Sequence, residues 1–97
     1  MLTVNSTNIL ISRSTQIGNG RPIIAGTGTS VRRIVSLYKQ GMTPEEIAGD
    51  FEGIALVQVY AALTYYHANR EEIEADLKAE EEEYLRLAQI HIKGGKF

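Results

Sequence analysis

Cysteine is missing from this chain. Disulfides, thiolate metal sites and a cysteine nucleophile are therefore excluded, and the sequence is compatible with a reducing compartment. Histidine is scarce, with His67 and His91 alone. His67 has no carboxylate at a spacing that would make a metal site or an acid–base pair, so it reads as a partly buried structural side chain, and His91 falls in the tail. No apolar run reaches the roughly 20 residues that span a bilayer, and the opening Met-Leu-Thr-Val-Asn-Ser lacks the basic start of a signal peptide. The expectation is a cytoplasmic protein with no membrane partner. Two further absences bear on function: no acidic residue precedes Glu45, and no lysine or arginine lies between Ile54 and Asn69.

What is present suits one small folded domain. The 97 residues are too few for a doubly wound nucleotide-binding sheet, and a composition 43% hydrophobic and 23% charged is that of a globular chain. A net charge of −2 conceals strong segregation. Arg13, Arg21, Arg32, Arg33 and Lys39 are the only charged side chains before Glu45, whereas all twelve acids fall between Glu45 and Glu83, opposed there by Arg70 and Lys78 alone. Such a split predicts a polyanion as partner of the basic end and a basic surface as partner of the acidic end. The plainer reading of the acidic run is a solvated helix face.

Along the chain, Ile9-Leu10-Ile11 and the stretch from Ile17 to Ile24 predict one or two short strands, separated by Gly18-Asn19-Gly20 and open to pairing with a second copy. A helix capped by Thr29 or Ser30 follows, with Val31, Ile34, Val35, Leu37 and Tyr38 as its apolar stripe and Gly41 as its end. Thr43, Pro44 and Glu46 spell a capped start for a second, short helix reaching about Phe51. Gly53 separates it from a third helix whose inner side is expected at Leu56, Val59, Tyr60, Leu63 and Tyr66 or His67, and whose outward positions are expected at Gln58, Ala61, Tyr65 and Asn69. With no proline beyond this point, the helical pattern runs on from Ala55 to about Ile92. After Asn69 it turns Glu-rich, with a thin stripe of Ile73, Leu77, Tyr84, Leu87 and Ala88, interrupted where Glu80 and Glu81 fall. Glu74 with Lys78 and Glu82 with Arg86 are spaced for i,i+4 pairs.

Gly26-Thr27-Gly28-Thr29-Ser30 has the first two glycines of a dinucleotide fingerprint, but Val31 occupies the third position and no Gly-Lys-Ser/Thr follows. A turn feeding a capped helix is the better reading. The Glu80–Glu83 block points around its helix and does not converge on a metal. No cofactor, metal site or catalytic constellation is expected, and a small enzyme built on the Gly-rich turn would need an acid or base that the sequence does not supply. A short capped helix, a glycine turn and an amphipathic helix are also the pattern of a helix-turn-helix. Arg32, Arg33 and Lys39 could then supply phosphate contacts and Gln58 an adenine contact. The uncharged third helix argues the other way.

Three segments carry a family resemblance. Gly20-Arg-Pro-Ile-Ile-Ala-Gly-Thr resembles the Gly-Lys-Pro-(aliphatic)-Ile-x-Gly-Thr-Arg opening of the bacterial domain of unknown function family 433 (DUF433). Gly41-Met-Thr-Pro-Glu-Glu-Ile is similar to that family's Gly-x-Ser/Thr-x-Glu-Glu-Ile, and Val59-Tyr-Ala-Ala-Leu-Thr-Tyr-Tyr to its Val-x-Ala-Ala-Leu-x-Tyr-Tyr. The match runs from about Gly20 to Glu74. It departs at Gly28, where the family usually has arginine. The resemblance implies a homeodomain-like helix-turn-helix and a frequent role as the antitoxin partner of a PIN-type nuclease toxin.

Together these readings predict a mainly α protein: an N-terminal β segment over 1–19, a three-helix helix-turn-helix core over 20–69, and an extended acidic C-terminal helix and tail over 70–97. The expected function is a non-catalytic, antitoxin-like homodimer. It would bind operator DNA through Arg32, Arg33, Gln58 and Tyr65, and a toxin through Ile73, Leu77, Tyr84, Leu85 and Leu87. The alternative is a protein-interaction and dimerisation module without DNA binding.

Overall fold

The computed structural model describes residues 10–13 and 20–94, the side chains of 91–94 excepted. The chain is mainly helical. Strand β1 (Ile11–Ser12) pairs antiparallel with β2 (Ile23–Ile24), with Ile11 opposite Ile24. This hairpin is internal to the chain, and the Ala25 amide extends it by donating to the Leu10 carbonyl at 2.7 Å. Ile17, Gly18, Asn19 and the tail glycine Gly95 lie outside the described residues.

The Gly-Thr-Gly-Thr segment is a turn sewn back onto β2. Thr27 donates through its amide (3.0 Å) and its hydroxyl (2.8 Å) to the Ile24 carbonyl, Ile24 in turn donates to Thr29, and Gly26 holds φ +81°. The same hydrogen bonds deliver Ser30, whose Oγ accepts the Arg33 amide at 3.0 Å and caps helix α1 (Val31–Lys39). Val31, Ile34 and Val35 of α1 are fully buried. The helix stops at Gly41, φ +105°: the Gly41 amide donates to Tyr38 and the Met42 amide to Leu37, the paired closure that needs a left-handed residue.

Helix α2 (Pro44–Asp50) begins with a complete capping box, the Thr43 amide donating to Glu46 Oε1 at 2.9 Å and the Glu46 amide to Thr43 Oγ1 at 3.1 Å. Helix α3 (Leu56–Ala68) packs against α1 and α2 through Val59, Ala61, Ala62, Leu63 and Tyr66. Helix α4 (Arg70–Gly94) then follows as a separate element.

The helical pattern expected to run on from Ala55 to about Ile92 is therefore divided into two helices at Asn69, where the expected turn to a Glu-rich character falls. Asn69 breaks it with φ −137° and ψ 46°, its side-chain amide donating to the Tyr65 carbonyl at 3.0 Å, and its own carbonyl accepting the Ile73 amide to start α4. Tertiary packing explains the break. Turning at Asn69 drives Ile73 into the same buried cluster as Ile11, Ile24, Ile34 and Val59. Leu77, one turn on, is half-buried against that cluster, and beyond it α4 runs free of the core. At about 1.5 Å per residue the helix is roughly 37 Å long, which accounts for a molecule 60 × 28 × 23 Å in extent. Among the described residues no helix is long and apolar enough to cross a membrane.

Ile73, expected at a partner surface, is therefore a core residue and closed to a partner. Ile73→Ala should cost about 2–5 kcal/mol in stability. Chemical denaturation will show it as a lower midpoint, whereas Leu87→Ala, outside the core, should leave the midpoint nearly unchanged.

Candidate functional site

The basic segment and the acidic helix face each other. Glu72, Asp76 and Glu80 recur every four residues on one side of α4, flanking Ile73 and Leu77, and this side lies over the hairpin and α1. Arg13 of the hairpin meets Glu72 and also donates to the Tyr65 hydroxyl at 2.6 Å. Asp76 Oδ1 accepts from both Arg21 Nε at 2.8 Å and Arg32 Nη1 at 3.0 Å, and Arg32 Nε lies 3.4 Å from Glu80. On the other flank, Lys39 Nζ spans both oxygens of Glu74 at 2.8 Å, and the Tyr66 hydroxyl also donates to Glu74. Four of the five cations that precede Glu45 are thus paired inside the chain.

Most of the basic segment, and four of the twelve acids, are engaged with each other in this way. The pairing also explains why the apolar stripe of α4 is interrupted at Glu80, which lies against Arg32. The i,i+4 pairs expected along α4 do not form, since Glu74 turns to Lys39, and Arg86 meets Glu83 at 2.5 Å in place of Glu82.

The residues expected at DNA are dispersed in role. Arg32 is held by Asp76 and Glu80. Gln58 uses its side-chain carbonyl to accept the Ala55 amide at 2.6 Å, which serves the start of α3, where Ala55 has no capping side chain of its own. Tyr65 is bracketed by Arg13 and Glu72. Arg33 is exposed and, like Arg70 and Lys78, has no ion pair among the described residues.

The outward face of α3 is also rotated from the expected one. Ala61 is buried, and the exposed positions are Leu56, Val57, Tyr60, Thr64, His67 and Ala68. His67 is accordingly a surface residue and not a partly buried one. Its ring lies 5.0 Å from that of Tyr66.

Of the residues expected at a protein partner, Leu77 is half-buried, while Tyr84, Leu85 and Leu87 stand 69%, 55% and 51% exposed. Ile90, which the sequence reading passed over, joins them at 53%. Glu81 and Glu82 lie beside them with no ion partner among the described residues. Between this overhang and α1 runs an open groove, with Arg33, Ser36 and Gln40 on one wall, Leu77, Glu81 and Tyr84 on the other, and Phe51 at its edge. The candidate site is this groove together with the outer half of α4.

A mainly helical domain opened by a two-strand hairpin and closed by a long acidic helix is the class these features define. The family model described as "Protein of unknown function (DUF433)" matches residues 11–66, more than half of the chain, and the protein belongs to that family. Among solved structures it is similar to the crystal structure of a DUF433 member protein from Anabaena variabilis ATCC 29413, with a TM-score of 0.68 and 23% identity over 77% of each chain, a likeness in fold. A search of curated proteins finds no match.

The clasp has a pH signature. Hydrogen bonds from Lys39, and then from Tyr66, hold the Glu74 carboxyl below its ordinary value of 4.5. Because that value is depressed in the folded state, its contribution is complete above 4.5 and is lost as pH falls through the folded value. Thermal unfolding between neutral pH and about pH 3 should therefore show a falling Tm. Glu74→Gln should flatten the acid part of that fall, and an identical profile in the variant would remove Glu74 from this account.

Proposed function

We propose that the protein is a non-catalytic, antitoxin-like partner protein whose overhanging half of α4 docks on a basic surface of a second protein in the cytoplasm. The observation that carries this reading is the composition of the overhang: four large apolar side chains, each more than half exposed, beside the unpaired acids Glu81 and Glu82. A helix that shows apolar anchors with charge of one sign suits a groove of opposite sign. The RNA-binding cleft of a PIN-type nuclease, which the family resemblance brings to mind, has that character.

DNA binding is the second reading. Exposed, unpaired Arg33 and the helix-turn-helix implied by the resemblance favour it; the internal pairing of Arg13, Arg21, Arg32 and Lys39 and the uncharged face of α3 count against it. The geometry fits better with protein binding as the main activity.

Calorimetric titration of the purified protein against the product of an adjacent nuclease gene tests the proposal. Binding should weaken as salt is raised, and Leu87→Asp or Tyr84→Ala should each reduce affinity about tenfold or more. Full affinity in both variants would rule out the overhang as the docking element. Fluorescence anisotropy with the protein's own upstream DNA and a scrambled duplex, at two salt concentrations, tests the second reading. Equal binding to the two duplexes would leave no operator role.

A further inference from the structure

Helix α3 is unlike the rest of the surface. In a chain 23% charged, its thirteen residues carry no Lys, Arg, Asp or Glu, yet one side of it is exposed. Leu56, Val57, Tyr60, Thr64, His67 and Ala68 fall within about 120° of arc at 100° per residue, a stripe with the width of a helix–helix seam. Neither the clasp nor the groove uses this stripe.

Along the i,i+4 row of this stripe size changes in one direction: the large Leu56 and Tyr60 occupy the first turns and the small Thr64 and Ala68 the last, with Val57 and His67 flanking the row. Ridges at one end and hollows at the other fit a second copy of the same stripe only when the two helices run antiparallel. A two-fold axis near Ala62 then sets Tyr60 against the partner's Thr64 and Leu56 against the partner's Ala68, with Val57 beside the partner's His67 at the flank. Antiparallel helices also oppose their dipoles favourably. The absence of charge is what self-pairing requires, since any charged residue near the axis would face its own like. A partner selected by charge, as proposed for the overhang, has nothing to recognise here. The Tyr60 hydroxyl makes a long contact to Glu45 at 3.4 Å, at the edge of the stripe.

We infer that α3 is a self-association surface through which two copies of the chain pair antiparallel about a two-fold axis. One 13-residue helix offers less than the ~800 Å² per partner of a standard interface, so the dimer is a weak one that forms as concentration rises. It covers the third-helix face that a DNA reader would present, and it leaves the outer half of α4 free.

Sedimentation of the full chain from about one to several hundred micromolar tests this, with the mass expected to rise from one chain toward two. Raising salt should leave the equilibrium in place or strengthen it, the reverse of the effect on docking by α4. Thr64→Glu should weaken the dimer at least tenfold while circular dichroism stays unchanged, because the position is exposed. Since the chain has no cysteine, single substitutions report geometry directly. Leu56→Cys and Ala68→Cys chains, mixed and oxidised, should form the mixed disulfide dimer in preference to either self-linked dimer, because each like pair is held about 18 Å apart. A monomer at every concentration, a dimer indifferent to Thr64→Glu, or self-linked dimers as the main product would overturn the inference.

Discussion

Asp76 accepts from Arg21 and Arg32 with a single carboxylate oxygen, one turn along α4 from Ile73, the buried contact on which the placing of that helix depends. It joins the segment before β2, the first turn of α1 and the second turn of α4, elements 44 to 55 residues apart in sequence. Magnitudes show what it does. Pairs with exposed members contribute about 0–1 kcal/mol each, whereas burying an isoleucine completely contributes about 1.5–3 kcal/mol. Ile73 is therefore what holds α4 down. The ion pairs around it fix which side of the helix faces the core and how it is rotated.

A second consequence concerns the electric field. A basic segment and an acidic helix left apart would each attract distant opposite charge, and the basic one would suit nucleic acid. Clasped together they cancel over the body of the protein. Among the charges left without an ion pair in the described residues are Arg33 on one wall of the groove and Glu81 and Glu82 on the overhang, while others, among them Glu45, Asp50, Glu71 and Lys78, lie elsewhere on the surface.

The parts of the fold legible in the sequence are those fixed by neighbours in the chain. Ser30, Gly41, the Thr43-Pro44-Glu46 start and the Gly53 turn, φ +84°, are each decided within four or five residues, and each was readable in advance. A change of character after Asn69 was readable, but the backbone break there was not, because neither glycine nor proline marks it and its cause is the distant demand for Ile73 in the core. The face of α3 was misjudged for a related reason: from Val59 to Leu63 the helix is apolar on every side, so periodicity gives no direction, and packing on α1 and α2 decides it. The clasp did leave a trace in the spacing of Glu72, Asp76 and Glu80. Spacing alone does not say whether such a row meets its partner inside the chain or outside it.

Two surfaces of different kind remain after the internal pairing is complete. One, on α3, carries no Lys, Arg, Asp or Glu and would be strengthened or unmoved by salt; the other mixes apolar anchors with acid and would weaken in salt. Surfaces so different do not compete for the same partner, and they lie on different helices, so both can be occupied at once. A pair joined through α3 would carry two overhanging α4 helices in fixed relation. A target with two basic grooves at a matching span would then be held at an effective concentration set by that rigid spacing, and modest single contacts would add up to tight binding. On this view the weakness of the α3 contact is useful, because assembly then responds to the amount of target present: a dimeric target draws two chains together, and in its absence they separate.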